Sequence, residues 1–244
     1  PRLNHNRDIQ LITPDFAELL GWYTAEGCKG GNHITFSLGK EETSAIESVS
    51  TLMKASLGKE PISRETGTAI QLDYCNKAFA PIFAEFGSAA PKKQIPEWFL
   101  RLPYEKQYRF LKGYIGGDGH TEASSKRYSI EANTVSPRLA YGLRLLLYKL
   151  GILHGLYKRP QRDGLIDGRV IHGNGTRYEI QISGEAAALL GNAIGELFNP
   201  RERALRNMGW VSPNYVFVPV VSNEAVPYNG TVYNISVEDD ESYL

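Results

Sequence analysis

Cysteine is scarce in this chain: Cys28 and Cys75 are the two among 244 residues. They are too few and too poorly spaced for a disulfide framework or a zinc cluster, so both are expected to be free thiols in a reducing compartment. Long hydrophobic runs are lacking too. No apolar stretch approaches the roughly 20 residues of a membrane-spanning helix, and the first residues lack the basic and apolar regions of a signal peptide. A disulfide-stapled secreted module and a helical membrane protein are thereby set aside, and the cytoplasm is the expected location. Net charge is missing as well, with 27 Lys and Arg against 27 Asp and Glu. The zero is unevenly spread. Residues 211–244 hold five acids and no Lys or Arg, which leaves residues 1–210 with 27 basic against 22 acidic, a net +5. That balance is modest for a nucleic-acid binder and does not carry such a reading by itself. The length suffices to bury a sizeable core, as one large domain or two small ones.

What the chain does have is a short stretch that occurs twice. The first copy is Leu19-Leu20-Gly21-Trp22-Tyr23-Thr24-Ala25-Glu26-Gly27, and the second is Leu111-Lys112-Gly113-Tyr114-Ile115-Gly116-Gly117-Asp118-Gly119. Each runs apolar, places small residues four apart (Gly21/Ala25 and Gly113/Gly117), and finishes with an acid followed by glycine. Small residues at that spacing leave a bare patch on one helix face, through which two helices can approach closely. The glycines after the acids suit the left-handed position that ends a helix. The acids are in an unfavourable place, because the last turn of a helix prefers cations. A solvated helix end explains one such acid. Two acids at matching places on crossing helices would share a site, and they then need a cation between them or a bound proton.

The repeat extends beyond these stretches. A strand pattern over residues 33–38 and a helical run from Glu41 to Leu57 follow the first copy, ending at Gly58. A strand pattern over residues 128–133 and a helical run from Ser136 to Leu150 follow the second, ending at Gly151. Residues 68–72 match residues 176–180, each leading into a helix that ends near Gly87 or Gly195. Clean alternation sets Ile34, Phe36, Leu38, Ile70, Leu72 and Tyr74 toward the core of the first half, and Tyr128, Ile130, Tyr178, Ile180 and Ile182 toward that of the second.

Both stretches resemble the LAGLIDADG motif of homing endonucleases, with Glu26 and Asp118 at the catalytic acid positions. Two copies at domain-repeat spacing make the resemblance specific. It implies an α+β fold of two pseudo-symmetric αββαββα halves whose antiparallel sheets form a DNA-binding saddle, with a short β-rich C-terminal tail. The expected divisions are residues 1–90, a linker over 91–110, a second half over 111–210, and a tail over 211–244. The implied activity is metal-dependent hydrolysis of both strands of a long asymmetric double-stranded DNA site by a monomer. Mg²⁺ is the expected ion, Mn²⁺ a substitute, and Ca²⁺ one that binds without supporting cleavage. Ala25 and Gly117 would add carbonyl ligands beside Glu26 and Asp118. The alternatives are an intron RNA maturase without cleavage, or a DNA-binding remnant of an intein.

The string Pro91-Lys92-Lys93-Gln94-Ile95-Pro96 resembles a block that precedes the second motif in intein-borne endonucleases, which puts Lys93 at the active site. Counting onward from Gly195 as from Gly87 lands on Arg201 in the second half, and Lys29 and Lys40 are further basic candidates. The polar strand faces present His33, Thr35, Ser37, Gln71 and Asp73 in one half, and Ser129, Glu131, Asn133, Arg177, Glu179 and Gln181 in the other. A solvated sheet face explains such a list, yet these are also side chains that pair with base edges. The Gly-rich segment 156–177 reads as a long hairpin bearing Lys158, Arg159, Gln161, Arg162, Arg169 and His172, suited to phosphate and base contact. Arg64 and Lys126 join the expected DNA contacts. The tail reads as strands from Val216, with a turn at Tyr228-Asn229-Gly230, packed on the outside of the body. Its end resembles the penultimate splicing block of inteins, but without a terminal His-Asn, splicing is not expected.

Overall fold

In a computed structural model, residues 12–123, 128–161, 164–166, 169–171, 175–195 and 209–232 are described. The chain begins with helix α1 (Pro14–Glu26), whose N-cap Thr13 accepts a hydrogen bond from the Phe16 amide at 3.1 Å, with Pro14 in the first turn. Both residues are suited to opening a helix. Strands β1 (Gly27–Gly30) and β2 (His33–Gly39) follow, then helix α2 (Thr43–Leu57), strands β3 (Ile62–Thr66) and β4 (Ala69–Cys75), and helix α3 (Ala80–Glu85). Gly58 closes α2 in the left-handed region at φ 75°.

The second half repeats this order. Two 3₁₀ turns, at 90–92 and 97–101, lead into helix α4 (Tyr104–Asp118), so the motif helix starts earlier than the repeat itself requires. Strands β5 (Gly119–Ala123) and β6 (Tyr128–Thr134), helix α5 (Pro137–Lys149) and strand β7 (Gly155–Pro160) come next. Strands β8 (Gly164–Ile166) and β9 (Arg169–Ile171) then form a small hairpin, so the long hairpin expected there is present in this form. Strand β10 (Thr176–Ser183) and helix α6 (Gly184–Ile194) complete the half. Each half carries a four-stranded antiparallel sheet, ordered β1-β2-β4-β3 and β5-β6-β10-β7.

Helices α1 and α4 pack against each other more extensively than any other pair of elements. Every residue of α1 from Phe16 to Thr24 is buried, because the helix serves the core of its own half on one side and α4 on the other. The small residues set the crossing. A Cβ built on Gly21 would lie 2.0 Å from the Phe110 carbonyl oxygen, and one on Gly113 would lie 2.1 Å from that of Glu18. Main chain faces main chain there, as the repeat predicted. An ionic cluster around buried Glu18 links the two helices: Glu18, 4 % exposed, meets Arg109 at 2.8 Å and Lys112 at 3.3 Å, while Arg109 also reaches Asp15 at 2.6 Å.

The strand faces divide as their alternation requires. Ile34, Phe36, Leu38, Leu72, Tyr74, Ile130, Tyr178, Ile180 and Ile182 are all buried, with Ile70 and Tyr128 packed against them. Phe99 anchors the linker, with its ring 5.6 Å from Phe86 and 4.8 Å from Phe110.

Three expectations need correction. Gly27 and Gly119 end their helices in extended backbone, at φ −94° and −89°, and not in the left-handed region. They are small because a Cβ would meet the carbonyl oxygens of Tyr23 at 2.6 Å and Ile115 at 2.4 Å, one turn back. Ser129 sits on the polar side of its alternation but is only 1 % exposed. It pairs with Ser183, the last residue before α6, at the end of the sheet where α6 packs on β6. The tail forms strands β11 (Trp210–Val211) and β12 (Val216–Phe217), beyond which its described residues have no regular structure. Val216 packs on the core, but Val220, Val221, Val226, Tyr228 and Val232 are exposed and do not lie against the body.

Candidate active site

Each motif helix delivers its acid as its last residue, Glu26 from α1 and Asp118 from α4. The close crossing at Gly21 and Gly113 brings the two helix ends together. A Cβ on Gly117 would stand 2.5 Å from the Ala25 Cβ and 3.0 Å from the Glu26 Cγ, so the peptides before both acids belong to one small region. Burial raises the Glu26 carboxyl to about 7, with further pressure from Asp118 and Glu42 and partial relief from Lys93. Asp118 is raised to about 6 by burial, against the pull of Lys93. Asp118 is nonetheless exposed at the surface, at the edge of a cavity. Both carboxyls are thus raised toward neutrality, Glu26 the further of the two.

Lys93 comes from neither motif helix, but its side chain reaches both acids electrostatically. It is 3 % exposed. The ammonium lies over the ring face of Tyr23, 3.7 Å from its centroid, and donates to the Tyr23 carbonyl oxygen. Burial brings its pKa down to about 7, although Cys28, Asp118 and Glu26 favour the charged form. Tyr23 is itself held by its hydroxyl, which donates to the Gly87 carbonyl at 2.8 Å. On the linker's other side, the Ser136 hydroxyl donates to the Lys93 carbonyl at 2.6 Å.

A cavity of about 500 Å³ opens beside these groups. Ala25, Lys93 and Asp118 line it, as do Asn133 and Arg177 of the second sheet and Gln161 just beyond β7. Across that sheet, Glu179 lies 3.6 Å from Arg177 and 3.9 Å from Arg159, and Gln181 donates to Glu131 at 2.7 Å. Lys158 and Arg159 are exposed on β7. On the first sheet, Thr35 donates to Asp73 at 2.5 Å and Arg64 approaches Asp73 at 3.5 Å. Ser37 and Gln71 are in register beside them, and His33 is exposed at the strand end.

The remaining candidates fall elsewhere. Lys40 is ion-paired to Glu65, and Lys29 is half-exposed on β1, where its amide bonds the Ser88 carbonyl at 3.3 Å. Lys126, Arg162, His172 and Arg201 lie outside the described residues, as does the side chain of Arg169. Three participants were not singled out from the sequence: Tyr23, Glu42 and Ser136. Ser136 before Pro137 carries a legible signal as a helix N-cap, but only the fold brings it to Lys93.

Among the described residues no cluster of three or more His, Cys, Asp or Glu side chains forms a metal site. The donors at the helix ends are two carboxylates with main-chain carbonyls nearby, a set of hard oxygens that suits Mg²⁺ or a similar divalent cation. The upward push of Asp118 on Glu26 is a second sign of fit, because neighbouring like charges gain from such an ion.

Residues 105–190 match the family model of the LAGLIDADG-like domain. The chain has the LAGLIDADG fold. A variant of the homing endonuclease I-DmoI, in complex with its target DNA in the presence of Mg, superposes with a TM-score of 0.50 and 15% identity, over 74% of this chain and 95% of that one. Full-length DUF199/WhiA from Thermatoga maritima gives a TM-score of 0.50 and 20% identity, over 78% of this chain and 58% of its own. In sequence, the ATP-dependent DNA helicase Hel308 of Thermococcus kodakarensis is 31% identical over the whole of this chain and 22% of its own length. A DNA polymerase of Thermococcus litoralis is 25% identical over 97% of this chain and 15% of its length. The chain thus spans less than a third of the curated relatives it matches. A LAGLIDADG fold is shared by an endonuclease and by WhiA, so the fold leaves the chemistry to the site. No described helix is long and apolar enough to cross a membrane.

Proposed function

We propose that this LAGLIDADG chain is a site-specific double-stranded DNA endonuclease that hydrolyses one phosphodiester in each strand with divalent cations. The observation that carries the reading is the meeting of Glu26, Asp118 and Lys93. Two acids occupy the unfavourable ends of two crossing helices, and a buried lysine is brought to them from a third segment. A fold without catalytic use for that arrangement has little reason to bring a buried lysine up to two carboxylates at adjoining helix ends.

In this reading Glu26 and Asp118, with the carbonyls of Ala25 and Gly117, would hold Mg²⁺ or Mn²⁺, which when bound would supply charge neutralisation at the phosphate and acidify water. Lys93, with a pKa near 7, exists partly as the free amine at neutral pH and accepts a proton from the attacking water. The water oxygen forms its bond to phosphorus while one ester oxygen leaves with the electron pair of its P–O bond and takes a proton from solvent. Asn133, Gln161 and Arg177 face the same cavity, where a phosphate or base edge can be met. Residues 1–90 and 111–210 serve as the two halves of the reader, residues 91–110 supply the lysine, and residues 211–244 form a separate tail. That a helicase and a polymerase each match this chain over a small part of their length supports an origin as an inserted element.

Selection from a randomised duplex library tests the reading. With Mg²⁺ or Mn²⁺, the protein is expected to enrich and cut one asymmetric sequence on both strands, as a monomer. Enrichment of a bound sequence that no divalent cation renders cleavable would favour the non-cleaving reading, for which the WhiA likeness is the precedent in fold.

A further inference from the structure

We infer that Ser136 is a positioning residue for Lys93, an assignment that rests on the proposed nuclease reading for its catalytic consequence but not for its structural one. Ser136 is fully buried at the start of α5, in the second half. Its oxygen does two things at once. It accepts the Leu139 amide at 3.3 Å as the N-cap of α5, and its hydroxyl donates to the Lys93 carbonyl at 2.6 Å. Lys93 is thereby fastened at both ends. Its main chain is tied to the second half by Ser136, and its ammonium is seated on Tyr23 of the first motif helix.

The bond is more than a turn contact. The Lys93 peptide belongs to no regular element, so its carbonyl has no ladder or helix partner, and a buried carbonyl left without one is costly. Neighbouring contacts share the same docking but do not replace it. Ile95 packs on Gly142, where a Cβ would come within 3.2 Å, and Gln94 lies 3.4 Å from Arg138. Those contacts hold the linker near α5. The Ser136 bond fixes the peptide plane from which the lysine side chain departs, and hence how far the amine reaches into the space it shares with Glu26 and Asp118.

Ser136→Gly separates the two roles of the hydroxyl, since glycine is tolerated at a helix N-cap but cannot donate to Lys93. Ser136→Thr restores both. The first readout needs no activity: the rate at which acetic anhydride modifies Lys93 in the DNA-free protein, followed by mass spectrometry. Ser136→Gly is expected to speed modification of Lys93 and leave the half-exposed Lys112 unchanged, with Ser136→Thr close to the wild type. The second readout is single-turnover cleavage of the duplex selected by the wild type. Ser136→Gly is expected to slow it roughly 10- to 100-fold with little change in KM, as for misplaced catalytic groups, and to add nothing in a Lys93→Met background. Unchanged Lys93 labelling in Ser136→Gly overturns the assignment, as does equal acceleration at every lysine. A wild type that never cleaves, with the Lys93 labelling as expected, sinks the nuclease reading and leaves the positioning role standing.

Discussion

Gly113 stands so close to the main chain of Glu18 that a Cβ on it would lie 2.1 Å from the Glu18 carbonyl oxygen and 2.8 Å from the Trp22 nitrogen. Backbone atoms inside a packed helix pair cannot step aside as a side-chain tip can. Gly113→Ala should therefore force the helices apart, at or above the roughly 1–3 kcal/mol typical of overpacking. For a chain of this size each kcal/mol lowers Tm by about 2–4 °C. Calorimetry of Gly113→Ala beside Gly30→Ala, whose added Cβ meets nothing within 4 Å, makes the comparison. Equal melting temperatures for the two variants would show that the crossing is not this tight.

The shifted groups predict a pH dependence for the metal-free protein. Glu26 and Asp118 rise from 4.5 and 3.8 to about 7 and 6, so the folded state binds more protons than the unfolded one in between. Their contribution to stability is present at acid pH and is lost as pH rises toward 7. Lys93 falls from 10.5 to about 7, so above 7 the unfolded state binds the extra proton and stability is regained toward 10.5. The site's contribution thus has its minimum near pH 7. Melting curves from pH 5 to 9 should show Glu26→Gln reducing the acid-side fall, with the Asp118 share remaining, and Lys93→Met removing the alkaline-side recovery. If both variants track the wild type at every pH, the three groups are not coupled to folding in this way.

Cation binding follows from the same acids. Because the Glu26 carboxyl is raised to about 7, Mg²⁺ or Mn²⁺ should bind more tightly as pH rises from 6 to 8 and release protons as it does. Glu26→Gln and Asp118→Asn should each abolish double-strand cleavage while DNA binding in Ca²⁺ stays within a few-fold of the wild type. Isothermal titration in two buffers of different ionisation enthalpy counts the protons. Normal cutting of both strands by Asp118→Asn would remove it from the catalytic pair.

Glu179 lies within 4 Å of both Arg177 and Arg159, and it is 18 % exposed. Its carboxylate restrains two cations that would otherwise be free to reach phosphates. Glu179→Ala should strengthen binding to unrelated DNA and steepen its salt dependence, by about one phosphate contact for each arginine released. Arg177→Ala should do the reverse, or cost about 1–3 kcal/mol at a single base pair if its partner is a base edge. Binding isotherms across salt and sequence separate these outcomes, and a flat response to Glu179→Ala would mean that the arginines already contact DNA fully.

The helix order, the two sheets and their buried faces were legible because each rests on short-range periodicity. Ile34, Phe36 and Leu38 are buried for the same reason that they alternate. Gly21 and Gly113 were legible because small residues four apart mark one helix face without reference to anything distant. Local pattern misled where a neighbour in space decided the matter. Gly27 looked like a left-handed cap but is required by the closeness of the Tyr23 carbonyl, and Ser129 looked solvent-facing but lies at the end of the sheet where α6 packs. The tail read as strands packed on the body, yet Val220, Val226 and Val232 are exposed.

By itself the sequence determined that the chain is a repeat, that each copy ends a helix on an acid, and that a lysine follows in the linker. These are properties of residue type and spacing, which survive in one dimension. The tertiary structure alone decided that Lys93 is buried on the ring of Tyr23, that Ser136 ties its main chain to the other half, and that Glu42 adds its charge to Glu26. Tyr23 and Lys93 are 70 residues apart and Lys93 and Ser136 are 43. Dielectric environment and partner choice at such separations arise from which surfaces the helix crossing brings together, and no local pattern encodes them.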